Sequence, residues 1–175
     1  MPSGRTHDRI TLWLFPGIVA LSYLITRNGE LTLLVGGGFF FAGLMFGPDL
    51  DIYSVQFKRW GVLRVIWLPY QKLLRHRSFW SHGLIIGTVI RILYLLGWLF
   101  LVGIFGIAIA QLIGGFEWNW QSFTLATFKL ITEVYWLDAI ALFIGLDLGA
   151  MSHSVSDWIS SKSKKTPKKS KRRKQ

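Results

Sequence analysis

The apolar positions of this chain fall in long runs rather than in amphipathic stripes. Residues 83–113 hold a single charge, Arg91, within 31 positions. Shorter apolar runs occupy residues 10–26, 31–46 and 135–151. An unbroken apolar stretch of about 18 residues or more reads as a membrane-crossing helix. The pattern therefore predicts an all-α integral membrane bundle of about four transmembrane helices. The third run would extend about 45 Å as a helix, more than the roughly 30 Å of hydrocarbon it must cross. The other three are short, so they would tilt little or thin the bilayer locally. Pro16 predicts a kink in the first run. That run is read as a retained anchor, because no small-residue cleavage site follows it.

Charge refines this layout. The chain carries 20 Lys/Arg against 9 Asp/Glu. Nine of those cations crowd into residues 162–174, a stretch with no apolar period. Such a segment cannot bury enough surface to fold alone. Residues 159–175 are therefore expected to form a disordered basic cytoplasmic tail, and residues 1–158 the membrane domain. With four spans, both termini and the 47–82 loop share one face, which then holds seventeen of the twenty Lys/Arg. The positive-inside rule makes that face cytoplasmic, with the chain in an inner, plasma or thylakoid membrane. Arg91 is expected to snorkel toward it. Trp118, Trp120 and Trp136 suit an aromatic belt at the opposite interface.

Within the loop, "VQFKRWGVLRVIWLPYQKLLRH" mixes cations with Trp60, Trp67 and Tyr70. It reads as an amphipathic segment on the membrane surface, broken near Pro69. The basic tail lacks interleaved aromatics, so the expected partners are membrane lipids and no specific nucleic acid. The oligomeric state is open.

Polar chemistry collects at the cytoplasmic level of all four spans. "RTHD" places His7 and Asp8 at the start of the first run; Asp8 could equally serve the helix dipole. "GPDLD" places Asp49 and Asp51 after a helix stop at Gly47–Pro48. In extended chain that two-residue spacing would point both carboxylates to one side. "HRSFWSHG" offers His76 and His82, which can share a site only if a helix begins between them, for example with Ser81 as N-cap. "GLDLGAMSHSVSDW" sets His153 and Asp157 four apart, a sound helical spacing for two ligands. Asp147 lies too far along that helix for the same ion and is expected to orient a ligand instead. Gly145 and Gly149 beside it would let helices approach closely, as would "VGGG" at residues 35–38. Asp138 is given no role.

The absence of cysteine excludes disulfides and thiolate ligands. Imidazole and carboxylate together suit a divalent metal, with zinc the first choice and manganese or iron the alternatives. Two ions in such a set can activate water against a phosphoryl or acyl centre.

The ordered motifs "SGRTHD", "GPDLD", "HRSFWSHG" and "GAMSHSVSDW" resemble a family of uncharacterised metal-binding membrane proteins, largely of cyanobacteria and other prokaryotes. A more distant resemblance runs to the LexA-regulated inner-membrane family regarded as metal-dependent hydrolases. The resemblance covers residues 3–158. It implies His7, Asp8, Asp49, Asp51, His76, His82, His153 and Asp157 as metal-site positions. Asp49 and Arg77 are the candidate catalytic residues, an aspartate orienting water or acting as base and Arg77 steadying negative charge. The expectation is thus a metal-dependent hydrolase acting on a phosphoester or lipid-derived substrate. The rivals are a metal-stapled scaffold or sensor and, last, an ion transporter.

Overall fold

The computed structural model describes residues 4–165, with side chains to residue 159. It is all-α, as the apolar runs predict. Among the described residues, four helices are long and apolar enough to cross a membrane. They are α1 (Gly4–Thr26), α2 (Gly29–Leu44) with the turn that carries its span on to Asp51, α6 (Ile86–Gly114) and α8 (Trp136–Lys165). Three short helices lie between the second and third of these: α3 (Val55–Arg59), α4 (Leu68–Leu73) and α5 (Phe79–His82). A further helix, α7 (Trp120–Lys129), precedes α8.

Two of the long elements, α1 and α8, overrun the predicted ones. α1 starts at Gly4 and runs through Pro16 without interruption. α8 continues to Lys165, beyond the boundary expected at residue 158. The rest of the basic tail lies outside the described residues. Between α1 and α2 the chain reverses at Asn28, whose Oδ1 accepts the N–H groups of Glu30 and Leu31 and so starts α2. Residues 114–135 hold α7 and a π-helical turn, Leu130–Val134. Here the sequence had suggested only a loop with an aromatic belt. Trp118 and Trp120 do pack on each other, with centroids 5.9 Å apart.

α2 and α8 form the most intimate helix pair, because glycines face each other across the contact. A Cβ on Gly38 would stand 2.9 Å from the Leu142 carbonyl oxygen. One on Gly145 would collide with the Val35 carbonyl, and one on Gly149 with that of Phe39. Backbones that approach this closely gain dispersion contact without large side chains. The contact also fixes the height of α8 relative to the end of α2, which sets the site described below.

Past α2, Gly47 and Pro48 stop the helix and a 3-10 turn follows, Pro48–Asp51. The aspartate pair is thus on a tight turn, one of the two settings, turn or extended chain, that a helix stop at Gly47–Pro48 allows. Gln56 Nε2 donates to the Gly43 carbonyl at 3.0 Å, and Gln71 Nε2 to Leu50 and Ile52 at 3.1 and 2.9 Å. These bonds draw α3 and α4 under the end of α2. The result is a buried cluster of Ala42, Phe46, Leu50, Phe57, Trp67, Tyr70 and Leu146. Trp67 and Tyr70, expected on the membrane surface, are instead core residues. Pro69 stands in the first turn of α4, where its missing N–H costs nothing. An apolar edge remains outward, with Val62, Leu63, Val65, Leu68 and Leu73 exposed.

α6 lies apart over most of its length, and Gly97, Gly103 and Gly106 have open space where a Cβ would be. Gly149→Ala forces a methyl against the Phe39 backbone and is expected to cost roughly 1–3 kcal/mol. Gly97→Ala should stay within about 0.5 kcal/mol. Thermal melts in detergent check this; equal melting temperatures for the two variants would sink the close-approach account.

Candidate metal centre

The start of α1, the turn after α2, α5 and the second half of α8 meet at one level, and seven polar side chains come together there. A continuous chain of contacts joins them. His7 Nε2 lies 3.3 Å from Asp157 Oδ1, and Asp157 Oδ2 lies 4.0 Å from His153 Nε2. His153 Nε2 is 3.2 Å from Asp49 Oδ2, and Asp49 Oδ1 is 3.8 Å from His82 Nε2. His82 Nδ1 is 3.6 Å from Asp51 Oδ2, and Asp51 Oδ1 is 2.8 Å from His76 Nδ1. The His7 and His153 rings stack with centroids 3.8 Å apart.

Two overlapping ligand groups can be drawn. His7, His153 and Asp157 each offer one ligand atom, all within 4.8 Å of one another, and Asp49, His76 and His82 do the same. Asp49 belongs to the second group yet touches His153 of the first. His153 and Asp157 share one face of α8 through their four-residue spacing. His76 and His82 converge because α5 begins between them, at Phe79. Its N-cap is Ser78, whose side chain accepts the Ser81 N–H, and not Ser81.

Hydrogen bonds around the rim indicate which ring atoms face inward. Ser156 donates its hydroxyl hydrogen to the His153 carbonyl at 2.8 Å and stands 2.8 Å from His7 Nδ1. It therefore accepts from His7 Nδ1–H. A neutral His7 then aims a bare Nε2 lone pair at a carboxylate oxygen 3.3 Å away. Two lone pairs facing each other repel unless a cation lies between them. His76 is held the same way, with Nδ1 on Asp51 and Nε2 buried without a partner. His82 Nε2, both ring nitrogens of His153, Asp49 Oδ1 and Asp51 Oδ2 are likewise buried without hydrogen bonds. Leaving one such group unsatisfied costs about 1–3 kcal/mol, so gathering several in one spot is unfavourable in the absence of a ligand. Divalent cations fit this donor set: imidazoles alternating with carboxylates, with the far nitrogens of His7, His76 and His82 hydrogen-bonded.

His82 is held below the usual imidazole range, chiefly because burial penalises its cation, while Asp51 pulls the other way. It is therefore neutral, and able to bind metal, at pH 7.

The remaining candidates stand elsewhere. Both Asp8 oxygens are taken by the Arg59 guanidinium, at 2.8 and 2.6 Å, and the same guanidinium donates to the Leu44 carbonyl. Asp8 ties α1 to α3 and belongs to neither ligand group. Arg77 has a left-handed backbone, φ 59°, and a half-exposed side chain whose Nη2 lies 3.8 Å from Asp157 Oδ2. Asp147 is buried one layer behind the centre, where its Oδ1 accepts from Ile85 N–H and Thr88 Oγ1. Arg91 does not snorkel. It is 1% exposed and donates to the Ser81 carbonyl and to Thr88 Oγ1, both at 2.9 Å. Ser81 figures in the sequence reading only as a possible N-cap, not as the partner of His82 Nδ1, and Ser156 does not figure there. The only hint lay in their positions, one before His82 and three after His153.

Comparison with known proteins accords with this geometry. The model of the family described as "Uncharacterized metal-binding protein (DUF2227)" matches residues 2–167. The chain belongs to this family. An uncharacterized protein of Aquifex aeolicus (strain VF5) is 33% identical over 61 residues, which is 34% of this chain and 43% of that relative. The chain thus matches less than half the length of that relative. No solved structure matches.

Two ligand groups joined through Asp49 predict distinct losses. His7→Ala should lose the ion of one group and His76→Ala that of the other. Asp49→Ala should weaken both, and Asp8→Asn should retain both. Metal analysis of purified protein checks this; full metal content in every variant would dismiss the centre. Protons compete for the imidazoles, so bound metal should fall as pH drops below about 6.5. Equilibrium dialysis at stepped pH reads that loss.

Proposed function

We propose that this protein is an integral membrane metal-dependent hydrolase, with both termini cytoplasmic and its metal pair at the cytoplasmic face. The substrate class is a phosphoester or a lipid-derived ester. One observation supports the paired centre above all: Asp49 turns one oxygen toward His82 and the other toward His153. Asp49 thus faces both ligand groups and could serve either. The ligand set is His7, His153 and Asp157 on one side and Asp49, His76 and His82 on the other, with zinc favoured by the imidazole count. Two bound divalent cations would supply Lewis acidity and a water acidified to near neutrality.

The chain's own groups would do the rest. Asp49 would orient the attacking water between the two ligand groups. Asp51 holds His76 by its Nδ1, fixing which nitrogen faces inward. The Arg77 guanidinium, at the exposed lip, would bind the substrate anion and steady the charge that develops in attack. Uneven exposure supports turnover over a sealed structural site. The side chains of His7 and His153 are 6% and 3% exposed, whereas those of His76 and Arg77 are 25% and 44% exposed. An accessible edge at His76 and Arg77 would give a substrate a way in, as a catalytic metal site requires and a closed structural one does not. The apolar outer edge at Val62, Leu63, Val65, Leu68 and Leu73 would rest on the lipid surface.

The test is a screen of phosphomonoesters, phosphodiesters and carboxyl esters, soluble and in mixed micelles, with zinc- and manganese-loaded protein. Metal-dependent turnover is expected, abolished in Asp49→Ala and reduced about 10²–10³-fold in kcat by Arg77→Ala. Fully loaded protein that turns over none of these would favour a metal-stabilised scaffold or sensor. A C-terminal reporter read outside the cell would refute the orientation.

A further inference from the structure

Behind the metal centre lies a second polar network that touches no ligand atom of it. Arg91 Nη1 donates to the Ser81 carbonyl and its Nη2 to Thr88 Oγ1, both at 2.9 Å. Thr88 Oγ1 donates in turn to Asp147 Oδ1 at 2.8 Å, and the same oxygen accepts Ile85 N–H at 3.0 Å. Arg91, Thr88 and Asp147 are all buried. Two ionisable groups so placed on apolar helices are costly, and they persist where they serve a purpose.

What they hold is strained. Ile85 has φ 63° and ψ −61°, a left-handed conformation that a β-branched side chain resists. Ile86 N–H bonds back to the Leu84 carbonyl at 2.6 Å, closing a three-residue γ-turn of the rare positive-φ kind. Such a turn survives only when its surroundings over-determine it. Here Asp147 grips the Ile85 N–H and Arg91 grips the Ser81 carbonyl. His82 lies between those two fixed points.

Ser81 completes the link. Its Oγ is 2.9 Å from His82 Nδ1 and also within reach of the Arg75 and Ser78 carbonyls, at 3.3 and 3.4 Å. If its own hydrogen goes to one of those carbonyls, Oγ accepts from His82 Nδ1–H. Nε2 is then left bare and turned toward Asp49. Asp51 Oδ2, at 3.6 Å from Nδ1, is the more distant acceptor.

We propose that the Arg91–Thr88–Asp147 network is a positioning device that clamps the γ-turn between α5 and α6 and thereby fixes the tautomer and aim of His82. These are positioning residues; none reaches the metal centre itself. The inference rests on the metal-centre reading for its purpose, but its geometry can be tested without metal.

The experiment compares Thr88→Val, which keeps the shape and removes the hydroxyl, with Thr88→Ser, which restores it. In metal-free protein, 15N-histidine NMR should show His82 protonated at Nδ1 in the wild type and in Thr88→Ser, and a mixture of tautomers in Thr88→Val. In cobalt-loaded protein, Thr88→Val should weaken the His82-containing half about 10- to 100-fold and alter its visible absorption, leaving the His7 half unchanged. If Thr88→Val alone does not fold, Thr88→Val/Ile85→Gly removes the strain that the network opposes and is read in the same way. An unchanged His82 tautomer overturns the proposal, as does equal weakening of both halves. A wild type that takes up no cobalt would sink the metal reading, and the NMR comparison would still decide the clamp.

Discussion

The structure turns on a surplus of acceptors in a place that water barely reaches. Seven imidazole and carboxylate groups crowd the ends of four elements, and the hydrogen bonds at their rim consume the protons that could have separated them. Ser156 has already given its hydrogen away, so His7 must spend its Nδ1–H there and face Asp157 bare. Asp51 takes the corresponding proton of His76. What remains inside is lone pair against lone pair, an arrangement with no counter-charge of its own among the described residues except Arg77 at the lip. Divalent cations would resolve that conflict by coordinating the same atoms. On this view metal binding contributes folding free energy at this end of the bundle as well as chemistry.

That crowding is possible because of contacts made well away from it. Glycines at the α2–α8 contact bring two backbones close enough to align the end of α2 with the final turns of α8. The tight turn at residues 48–51 then delivers Asp49 to His153, and the α8 periodicity delivers Asp157 beside it. A larger residue at Gly149 would move one helix relative to the other. The ligands would separate by a similar amount, and metal geometry tolerates only a few tenths of an ångström.

Much of this was legible in the sequence, and the parts that were not share a cause. Four apolar runs gave the helices, since their lengths leave few alternatives. The edges of the first and last were set too short because polar residues such as His7 and His153 read as helix exits, whereas here polar side chains are buried inside the helices and face each other. The site motifs were legible because His and Asp are rare in this chain and fall at one level. Asp8 looked like part of that set, but a carboxylate's partner lies where the fold brings a cation, and Arg59 is 51 positions away. Arg91 looked like a residue bound for the interface, because nothing in a linear reading reveals that Ser81 and Thr88 offer it acceptors. Trp67 and Tyr70 carried the same ambiguity. Aromatic residues among cations suit a membrane surface, yet here they close a core under α2. Burial pushes the Tyr70 phenol up to about 12, as suits a group enclosed in that core.

The layered polar networks also bear on what kind of site this is. A purely structural metal site needs its ligands and little else, because the ion itself supplies the rigidity. Here His82 is bonded to Ser81, whose carbonyl is held by a buried arginine, beside a turn whose backbone is bent against its preference. Stability alone gives no reason to retain that strain, since an ordinary turn would connect α5 to α6 at lower cost. A ligand aimed within narrow limits does give a reason, because a small misplacement of a reacting group can cost orders of magnitude in rate. The strained, doubly clamped approach to His82 is what the proposed hydrolase would require of a ligand, whereas a simple metal staple would not require it.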